Sequence, residues 1–333
     1  MKRWVTNIIQ DPTINAVDKA KQDITRIAED TNYNILSIFR YSAVGESDEA
    51  MHSRIDGITA GVVPGDIVFF QYPSYISIRF DIFFINHMIA RGVKLILILH
   101  DVEYIRKGVS ETFNEIEILN RCSALIVHNL KMKAKLKECG VFKPMIANFM
   151  FDFLRTGGYK ENSFSRELVL AGSLEKSDYI STWNLKTNLI AFGGSGKIDF
   201  SKRVDYRGAV SQEKLFDALP NCFGLSWDST PGFKEYTMYN NPYKVSMYLC
   251  MGLPVIVWAS SAVADIIVKN RLGYAINTLN EIDHLIVDLS DKEIHDLLKN
   301  VRRFSALLRD GFFTKQALIK AEQQVLYGEI NYF

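Results

Sequence analysis

Two lysines stand where phosphate chemistry would need them. Lys244 falls in the first turn of a helix that reads with Asn240 or Asn241 as N-cap and Pro242 at the first helical position, and stops at Gly252-Leu-Pro254. A cation there meets the positive end of the helix dipole. A bound anion reverses that preference, because free N–H groups and a lysine together make a phosphate site. A solvated surface lysine is the competing reading. Lys176 follows Gly172-Ser173, a turn after the apolar strand Leu168–Ala171 that leads into a helix start. Backbone N–H groups of such a turn can approach a diphosphate closely, against a plain turn with Lys176 exposed. Gly193-Gly-Ser-Gly-Lys197 lacks the first glycine and the closing Ser/Thr of a phosphate loop, and reads as a flexible turn.

A second set of polar residues ends apolar strands. His100-Asp101 closes Lys94–Leu99, and polar groups at the end of so apolar a run need partners. Asn7, Gln71 and His128-Asn129 stand at the ends of three further strands. In a parallel sheet those loops form the ligand-binding rim, although local capping competes at each position. Asp101 can serve as a general base if an acceptor hydroxyl lies within hydrogen-bond reach. Histidines and cysteines show no metal-ligand spacing, and no Asp-x-Asp stands in a metal-binding context, so no divalent metal is expected.

The elements that must position these residues alternate. Strands read at 2–8, 34–39, 67–71, 94–100 and 124–128, with helices at 15–31, 47–60, 78–90, 110–122 and 131–139. After an aperiodic stretch about 149–165 the alternation restarts: strands at 168–171, 188–192, 204–208, 223–227, 255–258 and 270–276, with helices at 211–219, 241–251, 280–287, 291–303 and 315–326. This predicts an α/β protein with two Rossmann-like domains, 1–152 and 165–314, and a final helix at 315–333 that crosses back to the first. The 333 residues, with 48% hydrophobic and 23% charged, suit two soluble globular domains. A net charge of +1 gives no basic surface for nucleic acid. Four scattered cysteines, no signal-peptide pattern and no span long and apolar enough for a bilayer point to the cytoplasm. The absence of Gly-x-Gly-x-x-Gly after the first strand argues against a nicotinamide dehydrogenase.

The Tyr239–Trp258 stretch resembles the nucleotide-sugar segment of GT-B glycosyltransferases. It departs from the common retaining pattern, because the positions of the two expected glutamates fall near Met247 and Tyr239. The chain is more similar to the glucosyltransferases that extend O-linked GlcNAc on bacterial serine-rich repeat adhesins. The matching motifs are Thr6-Asn-Ile8, Ile55-Asp-Gly-Ile58, Gly65-Asp66, His100-Asp-Val102, Tyr243-Lys244, Asn300-Val-Arg302, Leu308-Arg309 and Gly311-Phe-Phe-Thr314. That family carries a basic residue where Lys176 stands. The resemblance implies a GT-B fold with an interdomain cleft and a hexose, expected to be glucose, moved from a UDP-sugar to a GlcNAc-modified adhesin. It implies diphosphate binding by Gly172, Ser173, Lys176, Asn241 and Lys244, with Tyr206 and Tyr243 flanking uracil or phosphate. Asn7, Gln71, His100 and Asp101 would face the acceptor. A dimer or tetramer is the expected assembly, with the aromatic helix Ile78–Met88 as contact. The alternatives are another bacterial cell-surface glycan transferase, such as a galactofuranosyltransferase, and a non-catalytic nucleotide-sugar-binding subunit, motivated by the missing glutamate.

Overall fold

The computed structural model describes residues 1–9, 16–108, 113–159, 163–194, 196 and 198–328. Positions 15 and 110–112 of the helices read from the sequence, 160–162 of the aperiodic stretch, Ser195 and Lys197 of the glycine turn, and 329–333 of the final helix lie outside the described residues. The chain divides into two compact units, Met1–Phe151 with Gly311–Phe333, and Asp152–Asp310. The sequence reading had put the second boundary at 314.

The first unit runs β1 (Arg3–Ile9), α1 (Ala16–Asp30), β2 (Asn34–Phe39), α2 (Asp48–Ile58), β3 (Ile67–Tyr72), α3 (Ile78–Ala90), β4 (Lys94–Leu99), α4 (Glu103–Lys107), α5 (Glu115–Arg121), β5 (Ala124–Val127), α6 (Leu130–Glu138) and β6 (Met145–Ala147). Its sheet is parallel throughout, in the order β2-β1-β3-β4-β5-β6. Residue type explains the order. β3, buried at every position, and β4, buried at all but its first, are continuous apolar runs and lie inside the sheet, while β2 alternates and lies at its edge. Ser47, Ser77 and Asn129 cap their helices by accepting from Ala50, Phe80 and Met132 N–H groups. The helix expected at 110–122 begins instead at Glu115, because Asn114 caps it through the Glu117 N–H. The aromatics of α3 belong to the unit's own core: Phe80, Phe84, Ile85 and Met88 are buried, and Phe84 stacks on Phe70. Phe83, on the same helix, is half-buried, and Ile78 is exposed.

The second unit runs β7 (Leu168–Ala171), β8 (Leu189–Phe192), β9 (Val204–Tyr206), α7 (Gln212–Ala218), β10 (Phe223–Ser226), α8 (Phe233–Tyr236), α9 (Tyr243–Cys250), β11 (Val255–Trp258), α10 (Ala264–Lys269), β12 (Gly273–Ile276), α11 (Ile282–Asp288) and α12 (Asp291–Arg309). Its parallel sheet has the order β12-β11-β10-β7-β8-β9. The helix expected after Ala171 is only two short 3-10 turns, Leu174–Lys176 and Asp178–Ile180. A three-residue turn carries little dipole, so an α-helix N-terminus cannot be invoked at Lys176.

The last helix, α13 (Phe312–Tyr327), packs back on β5, β6 and α1 of the first unit. Tyr33 donates its hydroxyl to Glu322 from below it. The chain enters α13 through Gly311, at φ +72°, where an ideal Cβ would lie 2.6 Å from Ile27 Cγ1. Both the left-handed backbone and the close approach require glycine. Gly311→Ala is expected to destabilise the protein by about 2 kcal/mol or more. Urea denaturation checks this, and an unchanged midpoint would contradict the packing described.

Candidate functional site

In the second unit the chain moves outward from β7 through β8 to β9 and then returns to the other side of β7 as β10. The crevice beyond the carboxyl ends of strands at such a reversal is where open α/β sheets bind ligands. Both lysines singled out in the sequence converge there. The turn after β7 starts at Gly172, and the next turn presses against it. An ideal Cβ on Gly193 would lie 1.7 Å from the Gly172 carbonyl oxygen, so only glycine fits. Gly172 and Leu174 give their N–H groups to Phe192 and Gly194 carbonyls, at 3.0 and 3.2 Å. Ser173 is left as a backbone donor with no protein partner among the described residues.

Lys244 is not a bare cation. Its Nζ lies 3.0 Å from Asp228 Oδ1, and both side chains are largely withdrawn from solvent, at 18% and 14% exposure. Asp228 begins the loop after β10. The next residues lace that loop to the turn after β7. Ser229 N–H donates to the Lys176 carbonyl at 2.9 Å, the Ser229 hydroxyl bonds Asp178, and Thr230 Oγ1 donates to the Glu175 carbonyl at 3.3 Å. The Lys176 ammonium lies over the Phe233 ring at 4.2 Å.

The start of α9 differs by one residue from expectation. Pro242 occupies the N-cap, no side chain caps the helix, and Tyr243 and Lys244 are its first two residues. Asn241 is therefore not the cap but a buried residue just before it. Asn240 Oδ1 is buried with no hydrogen-bond partner among the described residues, an uncommon state for a native polar group. Tyr243 packs on Phe153 at 5.2 Å. Tyr206 lies on the edge strand β9, half exposed, stacked on Phe200 at 4.2 Å, and donates its hydroxyl to the Gly193 carbonyl at 3.0 Å. It thereby braces the pair of turns at Gly172 and Gly193.

The first unit reverses between β1 and β3, and a buried polar network sits at those strand ends. Gln71, expected to face a ligand, is fully buried and internally committed. Its Nε2 reaches the Thr6 carbonyl (2.7 Å), Thr25 Oγ1 (3.0 Å) and the Lys21 carbonyl (3.1 Å), and its Oε1 faces His100 Nε2 at 2.9 Å. Carbonyls only accept, so the amide orientation is fixed and His100 donates from Nε2. His100 is likewise buried, its ring parallel to Phe151 at 5.8 Å. Asn7 lies within β1, opposite Ser37, rather than in the loop beyond it. The strand runs on because Ile8 and Ile9 still pair with β2.

Sequence reading missed Lys21, the centre of this network. Its ammonium donates to the Gln71 and Pro73 carbonyls and lies over the Tyr75 ring at 5.1 Å. Burial pulls it down towards about 7, against Asp81, Asp101 and Asp18, while burial pushes the Asp81 carboxyl up towards about 7. The available signal was spacing: Lys21 falls on the same helix stripe as Ile24 and Ala28. Asp101 accepts the Tyr75 hydroxyl and lies 3.8 Å from Arg106. Tyr75, at φ +60°, lines a cavity of about 500 Å³ together with Tyr104, Phe113, Asp81, Glu103 and Glu115. Aromatic faces and carboxylates suit a polyhydroxylated ligand. Among the described residues no group of His, Cys, Asp and Glu could hold a metal ion, and no helix is long and apolar enough to cross a membrane.

The sequence matches the family profiles described as "Glucosyltransferase 3-like, N-terminal domain" over residues 2–150 and "Glucosyltransferase 3-like, C-terminal domain" over residues 168–321. It is 30% identical to Glucosyltransferase 3 of Streptococcus gordonii, over 98% of this chain and 100% of the relative. The chain belongs to the glucosyltransferase 3-like family. As a glucosyltransferase 3-like protein it is a glycosyltransferase. It is also 26% identical to the β-1,6-galactofuranosyltransferase WbbI of Escherichia coli K12, over 90% of this chain and 92% of that one. Among solved structures, an α-glucosyltransferase in complex with UDP shares the fold with a TM-score of 0.62 at 11% identity, covering 98% of this chain and 100% of the other. The avilamycin glycosyltransferase AviGT4 does so with a TM-score of 0.57 at 12% identity, covering 98% of each chain. The two Rossmann-like units are those of a GT-B glycosyltransferase.

Burial holds both strand-end histidines below the ordinary imidazole range, His128 to about 4 and His100 well below its usual value. Their neutral forms therefore stabilise the fold fully above about pH 6.5, and that contribution is lost as pH falls through the folded-state values. The imidazole carbon shifts of His100 and His128 are expected not to titrate between pH 5.5 and 8 by NMR. A midpoint near 6.5 for either would contradict the buried network.

Proposed function

We propose that this glycosyltransferase moves a hexose, glucose in this reading, from a UDP-sugar to O-linked GlcNAc on a serine-rich repeat glycoprotein, without a divalent metal. The observation that carries the donor half is the Lys244–Asp228 pair at the β7/β10 reversal. The loop that carries Asp228 is tied by the Ser229 N–H to the Lys176 carbonyl, in the turn that follows the Ser173 N–H. In this reading a diphosphate would replace Asp228 as the partner of Lys244. When the nucleotide leaves the sugar, negative charge grows on its β-phosphate, and a lysine fixed in a water-poor crevice stabilises that charge by several kcal/mol. Lys176 and the Gly172-Ser173 turn supply the second side of the same pocket. Tyr206 and Tyr243 are the aromatic neighbours for uracil or phosphate. The fold relative solved with UDP supports this choice of nucleotide.

The acceptor half rests on the first unit. Asn7, the cavity walled by Tyr75 and Tyr104, and Asp101 behind Tyr75 offer hydrogen-bonding and stacking partners for a sugar. Asp101 is the residue to take the acceptor proton if the reaction inverts. Gln71 and His100 position this wall rather than touch the sugar. The family's name and the two streptococcal relatives called Glucosyltransferase 3 support glucose as the transferred sugar. The Escherichia coli relative supports galactofuranose as the second candidate.

Calorimetric titration of UDP without metal tests the donor site. Lys244→Ala is expected to weaken binding roughly 10- to 150-fold, the loss of one charged hydrogen bond. Unchanged affinity would remove Lys244 from the site. Mass-spectrometric product analysis with UDP-glucose and UDP-galactofuranose on a GlcNAc-modified repeat protein decides the sugar, and transfer of galactofuranose alone would overturn the glucose reading.

A further inference from the structure

β7 and β10 part company early. Their pairing consists of Leu168 with Phe223 and Val169 with Gly224, whereas β7 follows β8 through Ala171 and β10 follows β11 through Ser226. The break has a cause. Leu168 and Gly172 both donate their N–H groups towards β8, to Asn188 and Phe192 carbonyls at 3.0 Å each. Strand alternation then points the Ala171 N–H the other way, towards β10. No β10 carbonyl takes it. It donates instead to the hydroxyl of Tyr248, at 2.7 Å.

Tyr248 comes from α9 and is fully buried. Its ring passes directly over Gly224, where an ideal Cβ would lie 2.4 Å from the ring carbons. The missing side chain at Gly224 is what lets the ring lie flat on β10 and reach the gap. A tyrosine hydroxyl thus occupies the place of a ladder carbonyl at the point where the strand order reverses. Tyr248 also lies one helical turn beyond Lys244, at i+4 on the same face of α9. One contact therefore both holds the strands apart and sets how far α9 stands from the Gly172-Ser173 turn.

We infer that Tyr248 is the positioning residue of the donor pocket: its bond to Ala171 splays β7 from β10 and fixes the gap between Lys244 and the Gly172-Ser173 turn to the width of a nucleotide diphosphate. The inference rests on the nucleotide-sugar reading of that pocket. Tyr248→Phe keeps the ring and deletes only the hydroxyl that holds Ala171. The folded variant is expected to bind UDP at least about tenfold more weakly, with the donor KM raised to match and the acceptor KM within about twofold of wild type. A role in packing alone would lower the melting temperature and leave UDP affinity within twofold, and that result would overturn the proposal. If the variant does not fold, hydrogen exchange on the wild-type protein decides. UDP should slow exchange in the 168–173 segment together with the start of α9, and protection of α9 without 168–173 would overturn the proposal. A wild-type protein that binds no UDP would overturn the donor reading itself, and this inference with it.

Discussion

The ion pair between Lys244 and Asp228 is the constraint on which the second unit turns. A lysine in the first turn of α9 is disfavoured by the helix dipole unless an anion stands beside it. Asp228 supplies that anion, and to do so the loop after β10 must come up against α9. Ser229 and Thr230 then tie the same loop to the carbonyls of Lys176 and Glu175. Strand ends, helix start and glycine turn are thereby held at one place by a few polar contacts. An exposed pair of this kind would contribute little. This one is mostly withdrawn from water, so it is strong enough to organise the loop and still open to exchange with a stronger anion.

The first unit solves a different problem. Lys21, Gln71, His100 and Asp81 are buried at the ends of β3 and β4, where backbone carbonyls run out of strand partners. The lysine ammonium donates to the carbonyls of Gln71 and Pro73, the glutamine amide to those of Thr6 and Lys21, and the histidine donates to the glutamine in turn. Such a network leaves little freedom to the loop that follows β3. That loop carries Tyr75, whose left-handed backbone and hydroxyl bond to Asp101 present its ring to the cavity. The polar residues of this rim thus divide into those that hold the loop and those that remain open to a ligand.

Much of the architecture was legible in the sequence, because long apolar runs such as Ile67–Gln71 and Lys94–Leu99 have few alternatives to buried parallel strands. The helices at 47–60 and 78–90 were equally plain, although their caps at Ser47 and Ser77 were not read. What escaped was anything decided by a partner distant in sequence. Gln71 looked like a rim residue, yet Thr6, Lys21 and Thr25 claim its amide. Lys21 went unremarked, although it lies on the buried stripe with Ile24 and Ala28. Nothing local to Asp228 reveals that Lys244, sixteen residues on, closes on it. The hydroxyl of Tyr248 has meaning only once Ala171 and Gly224 are seen beside it. The 3-10 turn after β7 was read as a helix because Gly-Ser before a short polar run is also how helices begin.

The measurement that bears most directly on this account is a crystal structure of the protein with UDP. The β-phosphate is expected within hydrogen-bond distance of Lys244 Nζ and the Ser173 N–H, with Asp228 turned away from the lysine and the Tyr248–Ala171 bond retained. A nucleotide bound elsewhere, with the Lys244–Asp228 pair intact, would contradict the assignment of the β7/β10 crevice as the donor site.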